Sequence, residues 1–525
     1  MLNSNDMLKI FKRLIPLCAV LLFAGCDKDF ENVNTNPYAI NTIDPALLFA
    51  GAQRTHVGSW IAEHTIIQQY VTPYNTGANA GFSFNVNIDG NQNQKWGEYT
   101  GSIKNMIQAL NILGSSTTRV NLKSMIRIWK AQVFMGLVDN YGDVPYSESG
   151  KAVSDALFFP KYDDDAAIYD DLYKELKEAI AALNPGGDYV SADLFYGANA
   201  QPSVKTSDAA AQVAKWKKLG NSLLLRLGMR YSKINASKAQ SIANEAFTGG
   251  VMTSNADNAY VKYDGTIYTT PDNAGLRSFT QYNYVSEPFV NQLKSTNDPR
   301  GKFMIALFAD PGNTPADLNP DVTLANQYGA PIGKTDAELK AAPYRGARGG
   351  GLNYSQINIY KLGSPAAPEF YVTYAQTSLL LAEAAKRGWI PGGDAQAKIY
   401  YENAITADMQ IYSLYPGTTP ITNAEITAYI NDPGVLYNST DALKLIGIQY
   451  WIINIRDGTE AWANFRRTGF PALTPNPSSG DLGSVGFITR LTYPDVEASA
   501  NRENYQKAIQ AYGGDKLTGK VFWDQ

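Results

Sequence analysis

The residues able to do chemistry in this chain are few and poorly grouped. Two histidines, His56 and His64, stand eight residues apart on what the pattern predicts to be one helix. Neither belongs to an H-E-x-x-H sequence, and no Ser-His-Asp or Cys-His arrangement presents itself, so both read as structural or surface residues. Carboxylates are harder to dismiss: glycoside hydrolysis needs only two acids roughly 5–10 Å apart, and the chain has 49. The densest group, Asp163, Asp164 and Asp165 with Asp170 and Asp171, lacks the glycine and spacing of a calcium loop. It reads instead as the capped start of a helix. "GAPIGKT" (Gly329 to Thr335) is one residue short of a phosphate loop between its glycines, and no apolar strand precedes it. "RGARGGG" (Arg345 to Gly351) has too little context for a dinucleotide fingerprint and reads as a loop. No metal and no cofactor are predicted.

One thiol has a clear use. Lys9, Lys12 and Arg13 precede an apolar run from Leu14 to Ala24, followed by Gly25 and Cys26. A basic flank, a short apolar core and small residues before the cut describe a secretory signal, and the run is shorter than the ~18 residues that span a bilayer. "LLFAGC" resembles a bacterial lipobox, with Phe23 where leucine is usual; Cys26 then becomes the acylated first residue of the mature chain. Cys18 leaves with the signal, so the mature chain has no disulfide and no second cysteine for a zinc site. Acyl chains contribute about 0.8 kcal/mol per buried methylene, enough in combination to anchor the protein permanently. Residues 1–25 are thus read as signal, 26–45 as a polar lipidated tether, and 46–525 as the folded body.

The body's composition limits its partners. Charged residues make up 18% of the chain and aromatics 12%, with 33 tyrosines and a net charge of −4. That offers no basic field for nucleic acid. An excess of Tyr, Asn and Gly over Lys and Glu suits a recognition surface, because tyrosine gives rigid contact area at low entropic cost.

These residues must be positioned by helices. Period-3.6 patterning predicts helices over 46–70, 97–113, 121–141, 163–183, 210–233, 237–247, 369–387, 394–413 and 440–462. Short Gly, Pro or Asn turns pair 97–113 with 121–141 and 369–387 with 394–413. The predicted class is mainly α: degenerate tetratricopeptide-like hairpins form a scaffold, without a strict repeat. Long irregular stretches at 72–96, 186–209, 249–365 and 463–500 separate them, and the block about 249–365 reads as a loop-rich insertion carrying binding function.

Four segments together resemble the SusD/RagB-like outer-membrane lipoproteins. They are "CDKDFENVNTNP" (Cys26 to Pro37), "DNYGDVPYSE" (Asp139 to Glu148), "YVTYAQTSLLLAEAAKRGW" (Tyr371 to Trp389), and "GTEAWANFRRTGFPAL" (Gly458 to Leu473) with "RLTYPDVEASANRENYQKAI" (Arg490 to Ile509). Asn464 and Phe465 stand where the family usually has Asp before the paired arginines. The motifs also have plain structural readings, with Arg466, Arg467 and Arg490 pairing acids such as Glu497; they mark a scaffold and not a site.

The resemblance implies a non-catalytic, lipid-anchored outer-membrane protein facing the cell exterior. It would capture an oligomeric nutrient, usually a glycan, and deliver it to a SusC-like TonB-dependent transporter. Oligopeptide capture on the same scaffold is the alternative, and a surface glycoside hydrolase a more distant one. Two loops, 69–85 and 263–284, combine aromatics with amides. Tyr74, Asn75, Phe82, Tyr268, Asn273, Tyr282 and Tyr284 are the expected ligand contacts.

Overall fold

A computed structural model describes residues 43–56, 62–74, 81–88, 95–152, 154–271, 273–278 and 284–525. Cys26, the signal, Asn75 and Tyr282 lie outside them. Residues Pro45–Gln525 form one unit. Its helices of eight or more residues are α1 Pro45–Arg54, α2 Ser102–Leu113, α3 Val120–Tyr141, α4 Asp165–Ala182, α5 Ala209–Arg230, α6 Ala236–Gly249, α7 Glu287–Ser295, α8 Tyr374–Lys386, α9 Gly393–Ile411, α10 Asn423–Ile430, α11 Ala442–Ile453, α12 Gly458–Thr468 and α13 Arg502–Ala511. Among the described residues six short strands accompany them: β1 Tyr70–Val71, β2 Ala259–Lys262, β3 Tyr284–Val285, β4 Ile305–Ala306, β5 Gln356–Ile357 and β6 Pro368–Val372.

Helical hairpins make up the scaffold. The most extensive packing joins consecutive helices: α1 with α2, α3 with α4, α5 with α6, and α8 with α9. The predicted pairing of 369–387 with 394–413 therefore holds. The pairing of 97–113 with 121–141 is displaced by one helix, since α2 packs chiefly on α1 and α3 on α4. Side-chain caps set the starts: Asp164 accepts from the Ala167 N–H, Asp208 from Ala211 and Asn235 from Lys238. Capping boxes open α8 (Thr373, Gln376) and α10 (Thr422, Glu425).

Three predicted elements differ. The segment 46–70 is not one helix: α1 ends at Arg54, a short helix covers Ala62–Ile66, and β1 follows. Residues 368–372 form β6 against β2, because an aromatic, β-branched run before a capping threonine suits a strand. The 440–462 helix breaks after Ile453, where Arg456 turns inward to Glu369 and Asp457 caps α12 at the Glu460 N–H. The 249–365 block is also less irregular than its composition implies. It holds α7 and β2 to β5, and β3, β4 and β5 join β1 in a sheet of order β1-β3-β5-β4. Strands two residues long are too short to show a period of two.

A buried polar web fastens the hairpins, and the signature residues lie in it. Arg230 donates to Asp139 at 3.0 Å and to Glu460 at 2.6 Å. Tyr169 and the Trp523 indole complete Asp139, and Tyr450 donates to Glu460. Arg226 reaches Gln132 and Gln376 at 3.0 Å each. The predicted partner Glu497 is replaced: Arg467 pairs with Glu383 and Arg490 with Asp515, while Arg466 donates to the carbonyls of Asp139 and Thr489. Glu497 instead accepts from the Tyr162 hydroxyl. Each buried ion of the web thus has a polar partner, which burial of charge requires.

Candidate functional site

The small sheet carries an open pocket of about 520 Å³. One wall is the outer face of α7, with Glu287, Asn291 and Lys294. The turns Gln327–Gly329 and Pro343–Arg345, with Pro331 and Tyr354, supply the rest of the lining. Tyrosines 328, 344 and 354 give it an aromatic surface set among amide, carboxylate and cationic groups. Such a mixture recognises a polyhydroxylated ring, whose C–H faces pack on aromatics while its hydroxyls bond to polar groups.

Each wall is held from behind. Ser286 caps α7 at the Phe289 N–H and donates to the Gln68 carbonyl. The Glu287 N–H donates to the Ala330 carbonyl at 2.9 Å. Ser355 and Tyr328 are tied twice, Ser355 N–H to Tyr328 O at 2.7 Å and Tyr328 N–H to Ser355 Oγ at 2.9 Å. The Tyr284 hydroxyl accepts from the Leu352 N–H at 2.7 Å, and the Tyr354 hydroxyl from the Arg345 N–H at 3.2 Å. Val71, Tyr284, Ala330, Leu339, Leu352 and Tyr354 form the apolar cluster beneath, with Tyr74 and Tyr344 packed against it. A rigid floor of this kind lets the rim residues meet a ligand without a large ordering cost.

The two predicted loops meet here in part. Pairing of β1 with β3 puts Tyr70 opposite Val285 and Val71 opposite Tyr284. Tyr74, half-buried, therefore lies on the same cluster as Tyr344. Tyr284 is fully buried beneath it. Phe82, only 1% exposed, and Asn273, whose amide donates to the Ser364 carbonyl, are also interior residues. Tyr268 is 49% exposed and stacks on Arg54 at the end of α1. Sequence reading missed Tyr328, Tyr344, Tyr354, Lys294 and Arg345. The signal was there in "QYGAP" and "APYRGAR", tyrosine beside Gly and Pro as in the chosen loops. Both lie beside or within stretches judged only as nucleotide motifs.

Other hollows suit a ligand less well. An open pocket of about 590 Å³ between the end of α7 and α10 has one aromatic, Tyr429, which is buried with its hydroxyl bonded to Arg300 and Gln449. Its rim ions Lys302 and Glu425 neutralise each other at 3.0 Å. Asp457 and Glu460 line an internal space of about 20 Å³, room for water and not for a sugar. Burial and the neighbouring Glu460 push Asp457 up to about 6, while Arg226 and Arg230 overcome burial to hold Glu460 below the usual carboxylate range. Burial likewise depresses His56, whose Nδ1 lies 2.7 Å from Glu98.

Asp143, Asp164 and Asp165 bring carboxylate oxygens within 4.8 Å of one another beside an open pocket of about 410 Å³. Their oxygens are engaged in structure. Asp143 accepts from the Asp165 N–H and Tyr512 hydroxyl, Asp164 caps α4, and Asp165 accepts from the Phe522 N–H. The predicted helix-cap role is therefore met by Asp164, while Asp163 binds the Tyr146–Ser147 turn.

Among the described residues no helix is long and apolar enough to cross a membrane. No curated protein matches the chain. Solved structures do. A chitin-binding protein is 30% identical over 92% of this chain and 100% of its own, with a TM-score of 0.75. A SusD-like protein from Bacteroidetes is 24% identical over 92% and 100%, with a TM-score of 0.76. A chitin-binding SusD homologue from Flavobacterium johnsoniae is 20% identical over 92% and 98%, with a TM-score of 0.71. The family model for SusD-like proteins, described as starch-binding and associating with the outer membrane, matches residues 37–494. Matched across that length, and built on the same helical scaffold, the chain belongs to the SusD-like family.

Proposed function

We propose that this protein captures an oligomeric glycan at the outer face of the outer membrane, without cleaving it, and passes it to a TonB-dependent transporter. The observation that carries the reading is the open tyrosine-walled pocket on the β1-β3-β5-β4 sheet, with amide, acid and cationic groups on its rim. Kinship with a chitin-binding protein supports the same ligand class. Among the described residues that line the pocket Glu287 is the one carboxylate, where glycoside hydrolysis commonly uses two. A lipid on Cys26 would hold the receptor at high effective concentration over its channel.

Within this reading the expected contacts divide by burial. Tyr74 and Tyr268 are proposed to meet ligand directly, as are Asn75 and Tyr282, which lie outside the described residues and are proposed from their sequence alone. Phe82, Asn273 and Tyr284 are proposed to shape the loops that do. Tyr328 and Tyr344 join the first group, and Tyr354, buried in the cluster beneath, joins the second.

Calorimetric titration against separate pools of plant and host oligosaccharides and of oligopeptides tests the proposal, with each ligand recovered and checked for cleavage. Saturable binding of an intact sugar is the expected result. Binding confined to peptides would transfer the function to peptide capture. Cleaved product would make the protein an enzyme.

A further inference from the structure

The pocket's cations are arranged for an anion, and this deepens the glycan reading on which it rests. Arg345 lies with its guanidinium carbon 3.5 Å from the centroid of the Tyr328 ring, the distance of a flat stack. Its Nε donates to the Asn353 carbonyl at 2.8 Å. The side chain is thus fixed at one nitrogen and one face, and its two terminal amino groups remain to be used. Lys294 approaches the same ring, with Nζ 4.8 Å from the centroid, and donates to the carbonyls of Ala325 and Gln327 at 3.0 and 2.8 Å. Three protons on Nζ leave one for a ligand. Among the described residues, neither cation makes a salt bridge with a carboxylate.

Many of the exposed cations sit beside an acid, as Lys302 does with Glu425, Lys334 with Glu338, Lys340 with Asp336 and Lys386 with Asp394. At the pocket two positive charges converge on one exposed tyrosine, 42% open to solvent, without neutralisation. The stacked guanidinium also covers a face of Tyr328 that a neutral sugar ring would otherwise use. What it offers instead is a planar fork of donors, the geometry that binds carboxylate or sulfate bidentately. Glu287 and Asn291 of α7 also line the pocket and remain as partners for ring hydroxyls.

We infer that Arg345 and Lys294 form an anion subsite, and that the glycan this pocket takes carries acidic groups, either carboxylates of uronic acids or sulfate esters.

Two matched pairs of ligands test this with the full-length chain: oligogalacturonate against its methyl ester, and sulfated dextran against unsubstituted dextran. Roughly tenfold tighter binding of the acidic member of either pair is expected, weakening as salt is raised, and the pair that shows it identifies the anion. Arg345→Ala should bring the ratio of acidic to neutral affinity close to one. Arg345→Lys, which keeps the charge and loses the fork, should lie between. Equal affinity for acidic and neutral members in the unaltered protein overturns the anion subsite and leaves glycan capture standing. Binding of oligoglutamate with no binding of any glycan overturns both.

Discussion

Arg467 and Glu383 form a bidentate ion pair in the interior, Nη1 to Oε1 at 2.5 Å and Nη2 to Oε2 at 2.6 Å. The pair joins the end of α12 to the end of α8, two segments 84 residues apart in sequence. Arg387 adds a second contact to Glu383 from one turn along α8, at 2.8 Å. Asn464, the residue standing near the place of the family's usual Asp, accepts from Arg467 at 2.9 Å. Arg467, Glu383 and Asn464 are buried together, with Arg387 reaching in from the surface, so the departure to Asn keeps an acceptor there and removes a charge. Removing Glu383 leaves Arg467 as a buried ion without its carboxylate, which costs about 3–5 kcal/mol, whereas removing Arg467 leaves Arg387 on Glu383 and should cost less. Glu383→Gln and Arg467→Met should each lower the urea midpoint by a corresponding amount. The double variant Glu383→Gln, Arg467→Met should be less destabilised than the sum of the single changes, because it leaves no buried charge of the pair behind.

The sequence was legible where long amphipathic helices carry the signal and obscure where contacts are non-local. Asp164 and the stripe through Ile168, Leu172, Leu176 and Ala179 describe α4 almost to the residue, since caps and period act within a few turns. The short β1, β3, β4 and β5 gave no such signal. Their pairing depends on partners distant in sequence, from Ala306 with Gln356 to Tyr70 with Val285. The pocket inherits that difficulty. Tyr74 was chosen for its loop, but what makes it relevant is Tyr344, which only the fold brings near. Glu497 was a reasonable mate for the arginines by charge alone, and Glu383 and Asp515 won by position.

Exposed and buried aromatics of the candidate loops should separate cleanly by assay. Tyr328→Ala and Tyr344→Ala remove pocket surface, so glycan affinity should fall about tenfold, roughly 1–2 kcal/mol, with little change in melting. Phe82→Ala empties an interior site and should cost about 3–5 kcal/mol of stability. Its effect on affinity, measured well below the melting transition, should be small. An affinity loss at Phe82 as large as at Tyr344 would mean that loop 81–84 itself meets the ligand.

Stability should depend on pH through Asp165. Burial, reinforced by the Asp143 carboxylate, raises it from 3.8 to about 7. The folded protein then holds a proton that the unfolded chain releases near pH 4, so folding is favoured at low pH. That contribution is lost as pH climbs from about 4 to about 7. Asp165→Asn cannot ionise, yet its side-chain oxygen can still accept from the Phe522 N–H. The variant should be more stable than the parent at pH 8, by about 1–3 kcal/mol, and indistinguishable from it near pH 4. Denaturant midpoints measured at the two values decide the matter. A gain of equal size at both would locate the effect in packing.

Tyr284 offers the sharpest test of how the floor serves the rim. Its ring is fully buried in the cluster beneath the pocket, and its hydroxyl accepts from the Leu352 N–H at 2.7 Å. Leu352 follows directly on the Gly-rich turn that Arg345 begins, so this one bond fastens the far end of that turn to β3. Tyr284→Phe preserves the packing and deletes the acceptor, leaving a buried N–H unsatisfied at a cost of about 1–3 kcal/mol. The turn can recover some of that loss by moving outward to water, which would carry Arg345 off Tyr328. Ligand affinity should therefore fall in Tyr284→Phe although the missing oxygen never faces the pocket. Hydrogen exchange should show faster exchange at residues 345–352 and unchanged protection in α8 and α9. If affinity falls while exchange in that turn stays as slow as in the parent, the hydroxyl acts on the ligand by another route than the turn.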